Sequence, residues 1–114
     1  MGTVNVVQQY DHEVDLVGTG EACLILGVEK SRIARWLKEN EMGKDSIPEP
    51  IVRLKCGPIW TRSQIISKLR VLYAKAGGAM DDEAAFEEWA VRRSLARARE
   101  LGFNDIEAKE LLSL

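Results

Sequence analysis

Apolar residues along the chain follow two different periods, and the change between them divides it. From about residue 19 they come in helical bursts, first Ala22, Cys23, Ile25 and Leu26, then Ile33, Trp36 and Leu37. Spacings of three and four predict two short helices. Thr19 is the expected N-cap of the first. Gly27 supplies the turn, because a left-handed residue is cheap only for glycine. Val28 plugs the corner, and the second helix starts near Lys30.

The period then shifts to two. Glu41–Ser46 is a polar loop, and Ile47-Pro-Glu-Pro50 cannot be helix interior, since proline removes donors and forces extended backbone. Ile51-Val-Arg-Leu-Lys55 alternates apolar and basic residues and reads as a strand, Cys56-Gly57-Pro58 as a turn, and Ile59-Trp60 as a short return strand. Thr61 with Gln64 has the spacing of a capping box, which opens a helix from Arg62 to about Ala76 through Ile65, Ile66, Leu69, Leu72 and Tyr73. Gly77-Gly78 marks a break. Asp81-Asp82-Glu83 places acids in a first helical turn, where the macrodipole favours them, and a helix from there should reach Leu101. Glu88 and Arg92 are ordered for an i,i+4 pair. Gly102 ends that helix, and Asn104 with Glu107 caps a last one toward Leu114. Residues 1–17 lack helical periodicity and read as an arm, with Val4, Val6 and Val7 the only strand-like group.

The spacing of small residue, glycine turn and β-branched residue between the first two helices is that of a helix-turn-helix, which sets its second helix into the DNA major groove. On a wheel of roughly 100° per residue, Ile33, Trp36, Leu37 and Asn40 share one side of that second helix, and Ser31, Arg32, Arg35, Lys38 and Glu39 the other. Arginine can pair with guanine edges through two hydrogen bonds, serine can bond a base or a phosphate, and lysine suits a phosphate. An ordinary helical hairpin with a solvated basic face is the alternative. Trp36 and Trp60 are expected in the core rather than as base-stacking surfaces.

Residues 19–73 resemble the winged helix-turn-helix of phage excisionases and MerR-type regulators. The resemblance lies in Glu21-Ala22, Leu26-Gly27-Val28, Arg32-Ile33, Arg35-Trp36, Pro48-Glu-Pro50 and Gly57-Pro-Ile-Trp60-Thr-Arg62-Ser-Gln-Ile65. Two positions depart from it. Glu29 stands where such proteins place Ser or Thr as N-cap, and Cys23 replaces the usual Ala at the tight helix contact. The resemblance implies a mostly α fold, a winged helix-turn-helix over residues 18–76, with a C-terminal helical segment over 80–114. It also implies a double-stranded DNA partner. Lys30, Ser31, Arg32, Arg35 and Lys38 would lie at the groove, Arg53 and Lys55 on the wing would touch phosphate or minor groove, and Arg62 and Ser63 would hold a phosphate at a helix N-terminus.

Composition adjusts this picture at a few points. The net charge of −2 argues against DNA only until it is divided along the chain. Residues 1–17 carry three acids and no Lys or Arg, 18–75 carry eleven Lys and Arg against six acids, and 76–114 carry five against nine. Positive charge thus concentrates on the expected DNA-binding part, and local field governs attraction. Cys23 and Cys56 make neither a disulfide framework nor a zinc pattern, and a reduced cytoplasmic setting in a bacterial or phage-infected cell is expected. No apolar run is long enough for a membrane span. His12, the single histidine, has no catalytic or metal-binding partners. Neither an enzyme, a cofactor nor a small-molecule effector is expected. Phe86, Trp89, Ala90, Leu95, Leu101, Phe103, Ile106, Leu111 and Leu112 exceed what a lone helical hairpin can hide. Part of that face is expected to form a homodimer contact; the competing outcome is that it folds back on the Arg62–Ala76 helix. Three functions fit: a DNA-binding regulator or recombination directionality factor, a DNA-packaging protein like phage terminase small subunits, or a helix-turn-helix module for protein contacts. Pairing of Arg32, Arg35, Arg53 and Lys55 with Glu29, Glu39 and Glu49 would favour the third.

Overall fold

The computed structural model describes residues 15–104. It is mostly helical, with four helices and a small three-stranded antiparallel sheet: β1 (Leu16–Val17), α1 (Thr19–Leu26), α2 (Lys30–Glu41), β2 (Val52–Leu54), β3 (Gly57–Thr61), α3 (Arg62–Lys75) and α4 (Glu83–Glu100). The expected last helix beyond Asn104, the valines at 4, 6 and 7, and His12 lie outside the described residues.

The short helix α1 sits at the centre. Ala22, Cys23, Leu24, Ile25 and Leu26 are all buried, so the helix is apolar all round and needs cover on every side. α2, α3, α4 and the sheet provide it. Its N-cap is Gly18 in extended conformation, not Thr19, which is already helical. The reason is that β1 runs straight into α1, so the first turn closes one residue earlier, with the Ala22 amide donating to the Gly18 carbonyl at 2.9 Å. At the other end Gly27 is left-handed at φ 66°, and the Val28 amide reaches the Cys23 carbonyl at 3.0 Å, closing a Schellman turn.

That turn is also where the chain's C-terminal part docks. Arg93 Nε donates to the Leu26 carbonyl at 2.6 Å and Ser94 Oγ to the Ile25 carbonyl at 2.9 Å. Two α1 carbonyls that its own helix cannot satisfy thereby gain partners. A Cβ on Gly27 would lie 2.5 Å from Arg93 Cγ and 3.0 Å from the Arg93 carbonyl oxygen, so α4 rests on the bare glycine. Along α4, Phe86, Ala90, Ser94 and Ala98 form one buried stripe at intervals of four. Phe86 and Ala90 belong to the same core as Trp36, Trp60, Ile65 and Leu69, and Trp89 packs against it. Tyr73 meets Phe86 edge-on at 5.4 Å and Trp89 at 5.2 Å. Leu95 packs with Leu24 and Ala98. Of the two outcomes weighed for these residues, folding back is the one seen within the described chain: Phe86 is buried in its core, and Trp89 and Leu95 are partly buried against it. Leu111 and Leu112 lie outside the described residues.

The sheet has the order β1-β3-β2. Val52 pairs with Ile59, Arg53 with Pro58 and Leu54 with Gly57, while Leu16 and Val17 pair with Thr61 and Trp60. The end of the expected arm is thus a third strand. The hairpin bend falls at Lys55-Cys56 rather than at Cys56–Pro58, and Lys55 sits at its tip. Thr61 and Gln64 form the expected capping box, with the Gln64 amide 3.1 Å from Thr61 Oγ1 and the Thr61 amide 2.9 Å from Gln64 Oε1. Asp82 caps α4 by accepting from the Ala85 amide at 3.0 Å.

Two outcomes follow from the docking of α4. Gly27→Ala should lose at least about 1–2 kcal/mol from the left-handed backbone alone, and more from the collision with Arg93, measured by urea unfolding. A chain truncated after Ala79 should fail to unfold cooperatively. A truncated chain that melts like a folded domain would contradict the single core.

Candidate nucleic-acid interface

The helix α2 turns Ile33 and Trp36 inward and leaves Lys30, Ser31, Arg32, Arg35 and Lys38 exposed. Three contacts hold its inner side. Lys68 Nζ lies 4.4 Å from the centre of the Trp36 ring. Asn40 Nδ2 donates to the Ile47 carbonyl at 2.5 Å, while its Oδ1 accepts from the Ser46 amide at 2.8 Å and the Ile47 amide at 3.2 Å. Ile47 is thereby fixed in the core, and the loop that follows α2 is tied to the helix. Trp60 Nε1 donates to the Pro48 carbonyl at 2.7 Å and Gln64 Nε2 to the Glu49 carbonyl at 2.9 Å, so the path into the hairpin is pinned from two further elements. Both Trp36 and Trp60 are buried, as expected.

Among the described arginines, the ion pairs divide into two groups. Arg53 pairs with Glu49 at 3.7 Å, Arg70 with Glu83 at 2.5 Å, Arg97 with Glu100 at 2.8 Å, and Arg92 with Glu88 in the expected i,i+4 geometry. Arg62 is held by Asp15 at 2.6 Å and by Glu21 at 3.7 Å, and its side chain is only 20% exposed. Arg32 and Arg35 make no ion pair among the described residues. Of the acids considered as their partners, Glu29 accepts from Ser31 Oγ at 3.4 Å and Glu39 from Ser46 Oγ at 2.6 Å. The expected phosphate role of Arg62 meets an obstacle in this geometry, since two carboxylates already occupy the guanidinium and tie Asp15, just before β1, and Glu21 of α1 to the start of α3. Ser63 beside it is exposed.

Arg93 and Arg97 were not singled out by sequence. They lie on α4, yet they line one cleft of about 520 Å³ with Arg32, Arg35 and Trp36 of α2. Burial, and after it the Arg32 charge, pushes Arg93 below the ordinary guanidinium value. Their segment is acidic in sum, which conceals them. The usable signal was their i,i+4 spacing on one helix face. The basic surface thus spans two helices rather than one.

Burial pulls Lys68 below the ordinary lysine value of 10.5, helped by the Lys75 charge and opposed by Glu39 and Asp45. No group of histidine, cysteine and carboxylate side chains among the described residues could hold a metal ion. No helix among them is long and apolar enough to cross a membrane. Cys23 is buried and Cys56 exposed, both as free thiols. Comparison with family models, curated proteins and solved structures gives no match.

Removing the Trp36 ring leaves a cavity under α2, so Trp36→Ala should lose about 3–5 kcal/mol of stability. A Trp36→Ala protein as stable as the parent but unable to bind nucleic acid would instead make Trp36 a stacking surface. The Lys68 amine gives a pH signature. Its folded value is depressed, so the unfolded chain holds that proton more tightly and its contribution to stability grows as pH rises toward 10.5. Urea unfolding of the parent and of Lys68→Met should show the parent gaining on the variant through this alkaline range. A constant difference would show that Lys68 titrates normally.

Proposed function

We propose that this chain is a winged helix-turn-helix protein that binds duplex DNA in a sequence-specific way, a small regulator or recombination directionality factor of phage or mobile-element type. α1 and α2 form the helix-turn-helix, the β2–β3 hairpin is the wing, and α2 enters the major groove. The observation that carries this is the contrast among the arginines: Arg32 and Arg35 stand exposed and without an acid partner among the described residues, while Arg53, Arg62, Arg70, Arg92 and Arg97 each meet a carboxylate. An unpaired, exposed guanidinium is free to form the two-bond contact with guanine O6 and N7.

In this function Ser31, Arg32 and Arg35 face base edges, and Lys30 and Lys38 face phosphates on either side of the groove. Lys55 at the hairpin tip reaches the sugar–phosphate backbone, and Arg53 does so after exchanging its weak, exposed pair with Glu49. Arg62 acts from within as the tie between β1, α1 and α3. The packaging alternative needs a free oligomerising helix; α4 packs on the core of its own chain, and the last expected helix lies outside the described residues. The protein-contact alternative draws on two features, the pairing of Arg53 with Glu49 and the exposed Ile51, Val52 and Leu54 of the hairpin.

Fragments selected from random DNA provide the specific duplex for the test. Arg35→Ala should cost about 1–3 kcal/mol on that duplex and relax preference at one base pair. Lys55→Ala should weaken specific and scrambled duplexes alike and reduce the salt slope by about 0.9. Equal, small losses for Arg35→Ala on both duplexes would remove it from base recognition.

A further inference from the structure

The cleft between α2 and α4 has a chemistry of its own. Four guanidiniums line it, from Arg32, Arg35, Arg93 and Arg97, against two carboxylates, Glu29 and Glu100. Glu100 takes Arg97 Nη1 at 2.8 Å, and Glu29 takes the Ser31 hydroxyl at 3.4 Å. Two of the cations are built in rather than displayed. Arg93 is anchored by its Nε on the Leu26 carbonyl, with its guanidinium 5.4 Å from the Trp89 ring centre. Arg97 has a side chain only 18% exposed, and its buried Nε is without a hydrogen-bond partner among the described residues. Buried donors on charged groups are ordinarily satisfied, so the open Nε sets Arg97 apart from the other arginines of the cleft. Guanidiniums lining one cleft, two of them partly buried, suit a phosphate, whose oxygens accept two parallel bonds from one arginine.

We infer that this cleft is a phosphate site, and that the phosphate it takes is a backbone phosphodiester of duplex DNA, an inference that rests on the DNA-binding function proposed above. The source follows from position. Ser31, Arg32 and Arg35 belong both to the cleft wall and to the exposed face of α2. A helix that fills a groove about 12 Å wide brings its neighbours against the phosphates that border it. α4 is that neighbour on the side of the cleft. Arg93 and Arg97 then position α2 in the groove, and carry no base information themselves. Glu100 is the competitor that the phosphate displaces from Arg97.

Three measurements on the full chain test this. The Arg97 Nε–H resonance is followed by nitrogen-15 NMR while inorganic phosphate, and separately a selected duplex, is added. Duplex should shift it strongly and phosphate more weakly at the same cleft. Arg97→Gln should lower the salt slope by about 0.9 and weaken selected and scrambled duplexes equally. Glu100→Gln, at an exposed carboxylate whose loss leaves the core intact, should tighten both. If duplex binds yet leaves the Arg97 resonance unmoved and Glu100→Gln without effect, the cleft proposal fails and DNA binding stands. If phosphate shifts the resonance and duplex does not, the cleft serves a free phosphate compound and the backbone assignment is overturned. If no duplex binds at any salt concentration, both the DNA-binding function and the cleft assignment fall together.

Discussion

The arrangement of the protein depends on how α4 seats on the turn between α1 and α2. Helix ends leave carbonyls without partners, and buried ones must find them. The last five residues of α1 are buried, so water is poorly placed to serve its last turn. Arg93 and Ser94 supply the donors for Leu26 and Ile25 from far along the chain. The same approach requires position 27 to lack a side chain, because Arg93 occupies the space a Cβ would need. One glycine therefore meets two demands, a left-handed backbone and a close helix crossing. With the turn held in this way, the outward face of α2 has a fixed direction relative to the hairpin.

Charge is distributed with the same economy. Several acids of the described residues sit against cations that do not belong to the exposed face of α2: Glu83 on Arg70, Glu88 on Arg92, Asp15 and Glu21 on Arg62. Such surface pairs contribute only about 0–1 kcal/mol each to folding. Their larger consequence is electrostatic, since they neutralise the periphery and leave a cationic area around Arg32 and Arg35. The net charge of −2 conceals that area. A polyanion approaching the protein responds to local potential.

Much of this was legible in the chain because it rests on local chemistry. Gly27 announced the turn, Thr61 with Gln64 announced the start of α3, and Pro48 with Pro50 separated the helices from the hairpin. The burial of Trp36 and Trp60 followed from periodicity. What stayed hidden is non-local. β1 has two residues and exists only because Trp60 and Thr61 pair with it from far downstream. Its presence moved the first N-cap from Thr19 to Gly18 and drew Arg62 toward Asp15. The meeting of Arg93 and Arg97 with Arg32 and Arg35 depends on α4 docking at the turn between α1 and α2, which no spacing within either helix encodes. The apolar surplus of the C-terminal part was visible, but that Phe86 and Ala90 join the core of their own chain depends on the stripe Phe86, Ala90, Ser94 and Ala98 turning inward.

The central claim is that α2 reads bases in the major groove, and methylation interference measures that directly. Duplexes recovered by selection on the full-length protein are methylated sparsely at guanine N7, rebound, and separated into bound and free fractions. N7 lies on the major-groove edge of guanine, where an arginine of α2 would bond it. The account predicts a short enriched motif in which methylation of one or two guanines excludes the duplex from the bound fraction. Selection without an enriched motif, or binding indifferent to N7 methylation at every guanine, would contradict it.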